Sequence, residues 1–575
     1  MNILERIEAL RLEMKKHQID AYMIPSADNH QSEYVGEHFK SRAFITGFTG
    51  SAGTAIITQD QAGLWTDGRY FIQAEQELKG SNITLYKSGN PGVPTIEEFL
   101  ETTLPQNGCF GFDGRLISMK EGLHFQDIFS AKNILLNDQY DLVDIIWGNR
   151  PSLPNAPVFM LNESLTGETT ASKLNRVRAT MKQLGATTHL LTTLDDIAWL
   201  LNIRGRDVCY MPVVLCYAVV EMDVVHLFIE ESKLSDSIKE YLKQEHVITH
   251  PYNHVYQYVS TLSENKIILL DPSRINFALY RSIPSKVKCI EQTNPCILFK
   301  AIKNETEQKN IRVAHLKDAI AHTKFIYWLK TSLGKETITE LSASDKLESL
   351  RAEQEHFLWP SFEPISAYGP HAAMCHYSSS EETNVELKEG TLYLTDTGGH
   401  YLEGSTDITR TIALGEISLE LKRDFTNVLK GNLALSRAIF PYGCCGKNLD
   451  ILARQYLWSE HLDYNHGTGH GVGYLLSIHE SSCRFNWRSS EESLRPLEPG
   501  MVITDEPGIY VEGSHGIRIE NELLVQNDTK TEYGQFLHFE VLTYVPIDLD
   551  AIDVSLLRED EKVQLNDYHQ KVYEM

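Results

Sequence analysis

The feature that most restricts the fold of this chain is an internal repeat. Leu4, Ile7, Leu10 and Met14 recur at helical spacing and lead into the apolar run Asp20-Ala-Tyr-Met-Ile-Pro, which reads as a buried strand. Further along, Leu174-Asn-Arg-Val-Arg-Ala-Thr-Met-Lys-Gln-Leu makes a second amphipathic helix and leads into Thr188-His-Leu-Leu-Thr-Thr. The parallel continues, with Ala43-Phe-Ile-Thr-Gly-Phe-Thr-Gly answering Ala198-Trp-Leu-Leu-Asn-Ile-Arg-Gly. Two apolar strands, around Val213 to Val220 and Val224 to Ile229, close the second copy. The copies lie about 170 residues apart, far beyond the roughly 20 to 50 residues of a solenoid repeat, so they predict two copies of one α/β fold.

A chain of 575 residues exceeds what one hydrophobic core organises. The proline-punctuated stretch Pro151-Ser-Leu-Pro-Asn-Ala-Pro marks one boundary, and the charged stretch beginning Lys300-Ala-Ile-Lys-Asn-Glu marks another. The expected division is 1–153, 154–305 and 306–575. In the last part the pattern predicts a long helix from about Glu305 to Leu333, a helix around Ser342 to His356, and a strand-rich region from Ile365.

The formal net charge of −25 repels polyphosphate backbones and speaks against nucleic-acid binding, while it attracts cations. No apolar run approaches the roughly 18 residues of a membrane span. The first residues are charged and amphipathic and lack the basic-then-apolar pattern of a secretory signal, so a cytoplasmic location is expected. The 9 cysteines form no C-x-x-C pair, and Cys444 adjoins Cys445, which fits reduced thiols in a reducing compartment.

Chemistry concentrates in the last part. Thr391-Leu-Tyr-Leu-Thr-Asp396-Thr-Gly-Gly and Ser405-Thr-Asp407-Ile-Thr-Arg-Thr read as two strands joined by a Gly-rich turn, which brings Asp396 and Asp407 close together. Taken alone, each aspartate reads equally well as a cap for turn amides beside glycine. Met501-Val-Ile-Thr-Asp-Glu506-Pro-Gly sets a glutamate at a strand end. Gly516-Ile-Arg-Ile-Glu520 alternates, so Ile517 and Ile519 share one face while Arg518 and Glu520 share the other. In isolation Glu520 reads as a surface residue paired with arginine. His466-Gly-Thr-Gly-His470-Gly-Val-Gly carries two histidines flanked by glycines, and His479-Glu480 follows. That segment lacks the order of a phosphate-binding P-loop and of an H-E-x-x-H zinc helix.

The set decides what the single residues do not. Four carboxylates gathered without cations repel one another and resist burial. Two divalent ions remove both objections, because carboxylates can bridge them and a shared water then becomes a hydroxide nucleophile near neutral pH. Oxygen donors with one imidazole favour Mn²⁺, Co²⁺ or Fe²⁺ over a thiolate-type zinc site.

With their flanking words (TDTGG, STDITRT, HGTGHGVG, DEPG, GIRIEN), these residues resemble the ligand set of the "pita-bread" metallopeptidases of family M24. Gly47-Phe-Thr-Gly-Ser-Ala-Gly-Thr-Ala, Trp65-Thr-Asp-Gly-Arg-Tyr and Asp195-Asp-Ile-Ala-Trp-Leu are similar to the long, three-domain, cytosolic Xaa-Pro aminopeptidases. The resemblance implies two duplicated creatinase-like α/β domains followed by a C-terminal pita-bread metallopeptidase domain, thus α/β and α+β. It implies hydrolysis of the bond before a penultimate proline by a metal-bridging hydroxide, with two divalent ions, Mn²⁺ the expected one. Asp396 is expected on one metal, His470 and Glu506 on the other, with Asp407 and Glu520 bridging. His376, His466 and His479 match substrate and transition-state positions, Glu506 doubles as general base, and Arg518 and Tyr510 match positions that either support the ligands from behind or contact substrate. The implied partners are peptides with penultimate proline and a second copy in a homodimer, without nucleic acid or membrane. Ser481-Ser482 stands where the family usually has Gly-Pro after His479-Glu480. The alternatives are a prolidase, which usually carries one N-terminal copy, and an inactive pita-bread scaffold, which would have lost ligands.

Overall fold

In the computed structural model, which describes residues 1–575, the chain packs as two units: residues 1–161 with 168–296, and residues 162–167 with 297–575. The first unit holds two six-stranded sheets. In one, Thr84–Lys87, Ala62–Thr66, Thr54–Thr58, Ala21–Pro25, Cys109–Phe112 and Leu135–Asn137 lie side by side in that order. In the other the order is Val247–His250, Val225–Ile229, Cys216–Glu221, Thr188–Leu191, Ile267–Leu270 and Lys288–Glu291. Across both sheets the pairings run parallel, antiparallel, antiparallel, parallel, parallel. Identical order and direction make these two copies of one fold, as the helix–strand repeat predicts.

The local reasons are legible. Helix Ile3–Lys16 starts at Asn2, whose side chain and that of Glu5 cap each other's backbone N–H, and it buries Ile7, Leu10 and Met14 while Leu4 faces outward. The strand Ala21–Pro25 sends Tyr22 and Ile24 into the core under that helix. Ala21 and Met23 enter a second core with Phe110, Phe112 and Phe125 on the opposite face. Covered on both faces, the strand reads as a continuous apolar run. Helix Thr170–Leu184 repeats the arrangement, capped by Thr169, ending at Gly185 in the left-handed region, and burying Leu174, Val177 and Met181.

The second unit is α+β. Helices Glu305–Ser332 and Glu340–Ala352 pack beside a three-stranded antiparallel sheet of Ile365–Tyr368, Thr391–Thr397 and Ile408–Leu414. The second helix stops at Ala352, short of the expected His356. His356 itself takes φ 65°, and the chain enters strand Phe357–Pro360 earlier than Ile365. The link between the two aspartate-bearing strands also differs from a plain Gly-rich turn. Gly399–Tyr401 and Gly404–Ser405 form their own hairpin, which pairs with Phe357–Pro360. A six-stranded sheet of Ile439–Pro441, Gly534–Val541, Asn521–Thr531, Val502–Asp505, Gly469–Gly471 and Glu480–Phe485 completes the unit, with the hairpin Gly508–Val511/His515–Arg518. No helix is long and apolar enough to cross a membrane.

Candidate active site

Side chains from four separate stretches converge in the second unit. Asp396 lies opposite Thr409 in the pairing of Thr391–Thr397 with Ile408–Leu414, and Asp407 immediately precedes the latter strand. Glu520 sits between strands His515–Arg518 and Asn521–Thr531, and its backbone N–H donates to the Thr409 carbonyl at 3.1 Å. That bond ties the third carboxylate to the strand beside the first two. Glu506 follows strand Val502–Asp505 and donates its N–H to the Thr468 carbonyl at 2.8 Å, next to the strand that carries His470. Gly469 is required by closeness: a Cβ there would lie 1.9 Å from the Thr504 carbonyl oxygen, so only glycine lets these two strands meet.

The donor atoms form overlapping groups. Asp396, Asp407 and Glu520 make one; His470, Glu506 and Glu520 make another; Asp407, His470 and His479 make a third, each with ligand atoms within 4.8 Å of one another. Glu520 is shared by the first two groups. Asp407 links the first and third, its Oδ2 lying 3.5 Å from His470 Nε2. Burial raises the Asp407 carboxyl well above the usual range, with Asp396 and Glu506 adding to it. Glu520 is raised in the same way, by burial and then by Asp407 and Glu506. Asp396 Oδ1 is buried with no hydrogen-bond partner.

His470 is prepared as a ligand. Its Nδ1 lies 2.9 Å from the Gly471 carbonyl, which only accepts, so that nitrogen carries the proton and Nε2 keeps its lone pair. That lone pair faces Asp407 Oδ2 and Glu506 Oε1, the latter at 3.7 Å. Burial, helped by His479, pushes the imidazole pKa down to about 4, so the ring is neutral near pH 7. Mutually repelling buried carboxyls, an orphaned carboxylate oxygen and a presented imidazole lone pair are what two divalent cations would satisfy. The residues fit that group.

His466 differs from His470. Its Nδ1 donates to the Gly467 carbonyl at 2.6 Å, and its Nε2 accepts from the Tyr510 hydroxyl at 2.8 Å, so neither nitrogen is left for a metal. Tyr510 in turn accepts from Arg518 Nη1 at 2.6 Å, and Arg518 pairs with Asp396 Oδ2 at 2.5 Å. A continuous chain thus runs from Asp396 through Arg518 and Tyr510 to His466. Burial opposes the Arg518 charge, but Tyr510 and Asp396 more than offset it and hold the guanidinium protonated. Arg518 and Glu520 do share one face, yet Glu520 is not a surface residue and does not pair with arginine. It is 1% exposed, and its Oε2 accepts from Thr409 Oγ1 at 2.7 Å.

His376 is half-buried in the turn after Gly369–Ala373, and the carbonyl of its neighbour Cys375 accepts from Arg518 Nη2 at 3.3 Å. Gly516 allows this approach, since a Cβ there would lie 1.7 Å from the Ala372 carbonyl oxygen. His376 belongs to none of the ligand groups. His376→Ala is therefore expected to keep its metal and lose turnover by about 10²- to 10³-fold, the usual cost of one transition-state donor. Near-native turnover with unchanged metal content would make His376 structural.

Two supporting residues escape a sequence reading. Thr409 bonds Glu520 and lies 3.3 Å from Arg518 Nε; its place two residues beyond Asp407, on the same strand face, was the available signal. Glu522, two residues beyond Glu520, accepts the Asp407 backbone N–H at 2.7 Å and is fully buried. Nothing in the sequence separates it from a solvent-facing glutamate.

Carboxylates and one imidazole arranged this way on an α+β unit define a binuclear metallohydrolase. Residues 309–527 match Metallopeptidase family M24 and residues 535–575 the C-terminal region of peptidase_M24. Residues 6–142 and 149–307 each match a Creatinase/Prolidase N-terminal domain. The chain is 40% identical over 587 residues to the probable Xaa-Pro aminopeptidase P of Laccaria bicolor, covering 100% of this chain and 90% of the relative. It is 39% identical to aminopeptidase P2 of Arabidopsis thaliana, covering 97% and 83%. Among solved structures, the X-prolyl aminopeptidase of Caenorhabditis elegans, described as a cytosolic enzyme with a di-nuclear active site, superposes with a TM-score of 0.96. It is 35% identical and covers 100% of this chain and 96% of that one. The prolidase from Pyrococcus furiosus shares the fold (TM-score 0.50, 22% identity), covering 64% of this chain and 98% of its own. The chain belongs to metallopeptidase family M24 and, within it, to the aminopeptidases P.

Proposed function

We propose that this protein is an Xaa-Pro aminopeptidase that hydrolyses the bond between an N-terminal residue and a penultimate proline at a site for two divalent cations. The observation that carries the reading is the convergence of Asp396, Asp407, His470, Glu506 and Glu520 into overlapping donor groups. Two α/β copies precede them, and the match to the Laccaria bicolor relative spans 100% of this chain and 90% of that relative. In this reading Asp396 would serve one cation, His470 and Glu506 the other, and Asp407 and Glu520 both. Two divalent cations held there, Mn²⁺ in our assignment, would lower the pKa of a water and polarise the scissile carbonyl.

The protein's own groups supply the rest. Glu506, with Oε1 held by Thr504 Oγ1 at 3.2 Å, takes the proton of the attacking water. His376 and His479 donate to the developing oxyanion and to the departing prolyl nitrogen. Arg518 and Tyr510 keep Asp396 and His466 in register through their hydrogen-bonded chain. Proline in the second position has no amide hydrogen and a fixed φ, so a peptidase that must bond that N–H fails on it. A cytoplasmic homodimer completes the assignment; sedimentation of the purified protein checks the dimer.

The test compares kcat/KM of Mn²⁺-loaded protein on Xaa-Pro-Yaa, Xaa-Pro and Xaa-Ala-Yaa peptides. The expected order places Xaa-Pro-Yaa at or above Xaa-Pro, with Xaa-Ala-Yaa far below both. A kcat/KM on Xaa-Pro-Yaa well below that on Xaa-Pro would make the enzyme a prolidase, and equal cleavage of Xaa-Ala-Yaa would remove the proline preference.

A further inference from the structure

The loop that carries His479 is held by an ion pair far from it in sequence. Lys303 lies just ahead of Asn304, the cap of helix Glu305–Ser332. Its Nζ donates to Glu480 Oε2 at 2.8 Å, and both side chains are essentially excluded from solvent, at 0% and 1% exposure. Glu480 directly follows His479 and opens strand Glu480–Phe485, where it sits opposite Gly471, the residue after His470. The His479 ring meets the His470 ring edge-on with centroids 4.3 Å apart. The pair thus anchors the residue that follows His479, while the strand of His470 has its own backbone pairing and a bond to Thr504 Oγ1.

Lys303 is itself fixed on both sides. Its N–H donates to the Gly500 carbonyl at 2.9 Å, just ahead of the strand that leads to Glu506, and its carbonyl accepts from Gln308 Nε2 at 2.8 Å. A second clamp acts at Ser481-Ser482, directly after Glu480. Arg495 Nη1 donates to the Ser481 carbonyl at 3.1 Å and to the Ser482 carbonyl at 2.5 Å. A buried ion pair adds little net stability compared with an apolar pair of the same shape, because desolvation offsets most of the attraction. Its directional hold on the backbone is what an apolar pair does not supply.

We propose that Lys303, through Glu480, is a positioning residue that sets His479 against the reacting centre. This rests on the reading of His479 as a substrate-facing donor. A displacement of about 1 Å at such a donor costs up to about 10²-fold in rate, whereas the five ligands are held by other bonds.

The test is a double-mutant cycle of Lys303→Met and His479→Ala, read as kcat, KM and bound metal. Lys303→Met is expected to keep two metal ions and to lose kcat by about 10- to 100-fold with little change in KM. In the His479→Ala background the same substitution is expected to cost almost nothing further, because the group it positions is gone. If Lys303→Met fails to fold, Lys303→Met with Glu480→Gln leaves no orphaned buried charge and takes its place in the cycle. Additive losses, or loss of metal from the Lys303 variant, would overturn the proposal while leaving the role of His479 intact. Near-native turnover of His479→Ala alone would remove the role of His479, and the proposal with it.

Discussion

Asp407→Ala and Glu520→Ala are each expected to abolish peptide hydrolysis and to bring bound metal from two ions towards one or none. Both carboxylates belong to two of the overlapping donor groups, so under the proposed assignment each deletion would take a ligand from both cation positions at once. Two divalent ions about 3.5 to 4 Å apart, the usual spacing of such pairs, repel about fourfold more strongly than two unit charges would. Under the proposed assignment Asp407 and Glu520 would supply the negative charge that offsets that repulsion. Asp407 is further committed to this place by Glu522, and Glu520 by Thr409 and the backbone bond to that residue's carbonyl. Metal analysis of the dialysed variants, with turnover on an Xaa-Pro-Yaa peptide, reads the result. Either variant retaining two ions and full activity would remove the bridging assignment.

Arg351→Met is expected to cause a large loss of stability in the second unit. Arg351 Nε pairs with Asp318 Oδ1 at 2.5 Å, and both side chains are buried. Asp318 also accepts from Thr406 Oγ1 at 2.8 Å and from the Tyr401 hydroxyl at 3.1 Å, while Arg351 Nη2 donates to the Thr397 carbonyl at 3.1 Å. Thr397 follows Asp396 and Thr406 precedes Asp407. The pair therefore grips both ends of the hairpin that joins two of the ligands. Burial disfavours the Asp318 charge, but Arg351 outweighs it and keeps the carboxyl below its usual range. Without the guanidinium a buried carboxylate is left unpaired, which costs about 3 to 5 kcal/mol. In a unit of this size that lowers the thermal midpoint on the order of 10 °C. The stabilisation that added Mn²⁺ confers on the protein should shrink as well, because the ligands on either side of the hairpin are loosened. Thermal unfolding with and without Mn²⁺ measures both effects; an unchanged midpoint and an unchanged response to metal would show that the pair is dispensable.

The two α/β copies were open to sequence reasoning because a strand covered on both faces must be apolar throughout, and its helix must show a single apolar stripe. Those are local requirements, written into Ala21–Pro25 and Thr188–Leu191 and the helices ahead of them. The convergence of the five proposed ligands was open for a related reason. Asp396 within a strand, and Asp407, Glu506 and Glu520 beside strand ends, are costly to bury together unless something neutralises them, and glycine beside each histidine marks close backbone approach. The end of the helix at Ala352 was not, because His356 adopts the left-handed region with nothing nearby to announce it.

The pairing of the buried charges was decided by tertiary structure alone. By sequence Arg518 stands two residues from Glu520, yet it bonds Asp396, 122 positions away, because Asp396 lies opposite Thr409, whose hydroxyl Arg518 also reaches. His466 and His470 share the same glycine-flanked setting, but only His470 keeps a free ring nitrogen, since the Tyr510 hydroxyl arrives at the other from a different hairpin. Lys303 reaches Glu480 across 177 positions. Periodicity and residue type record what each segment must bury; which donor meets which acceptor depends on where strands from distant parts of the chain finally lie, and no local pattern encodes that.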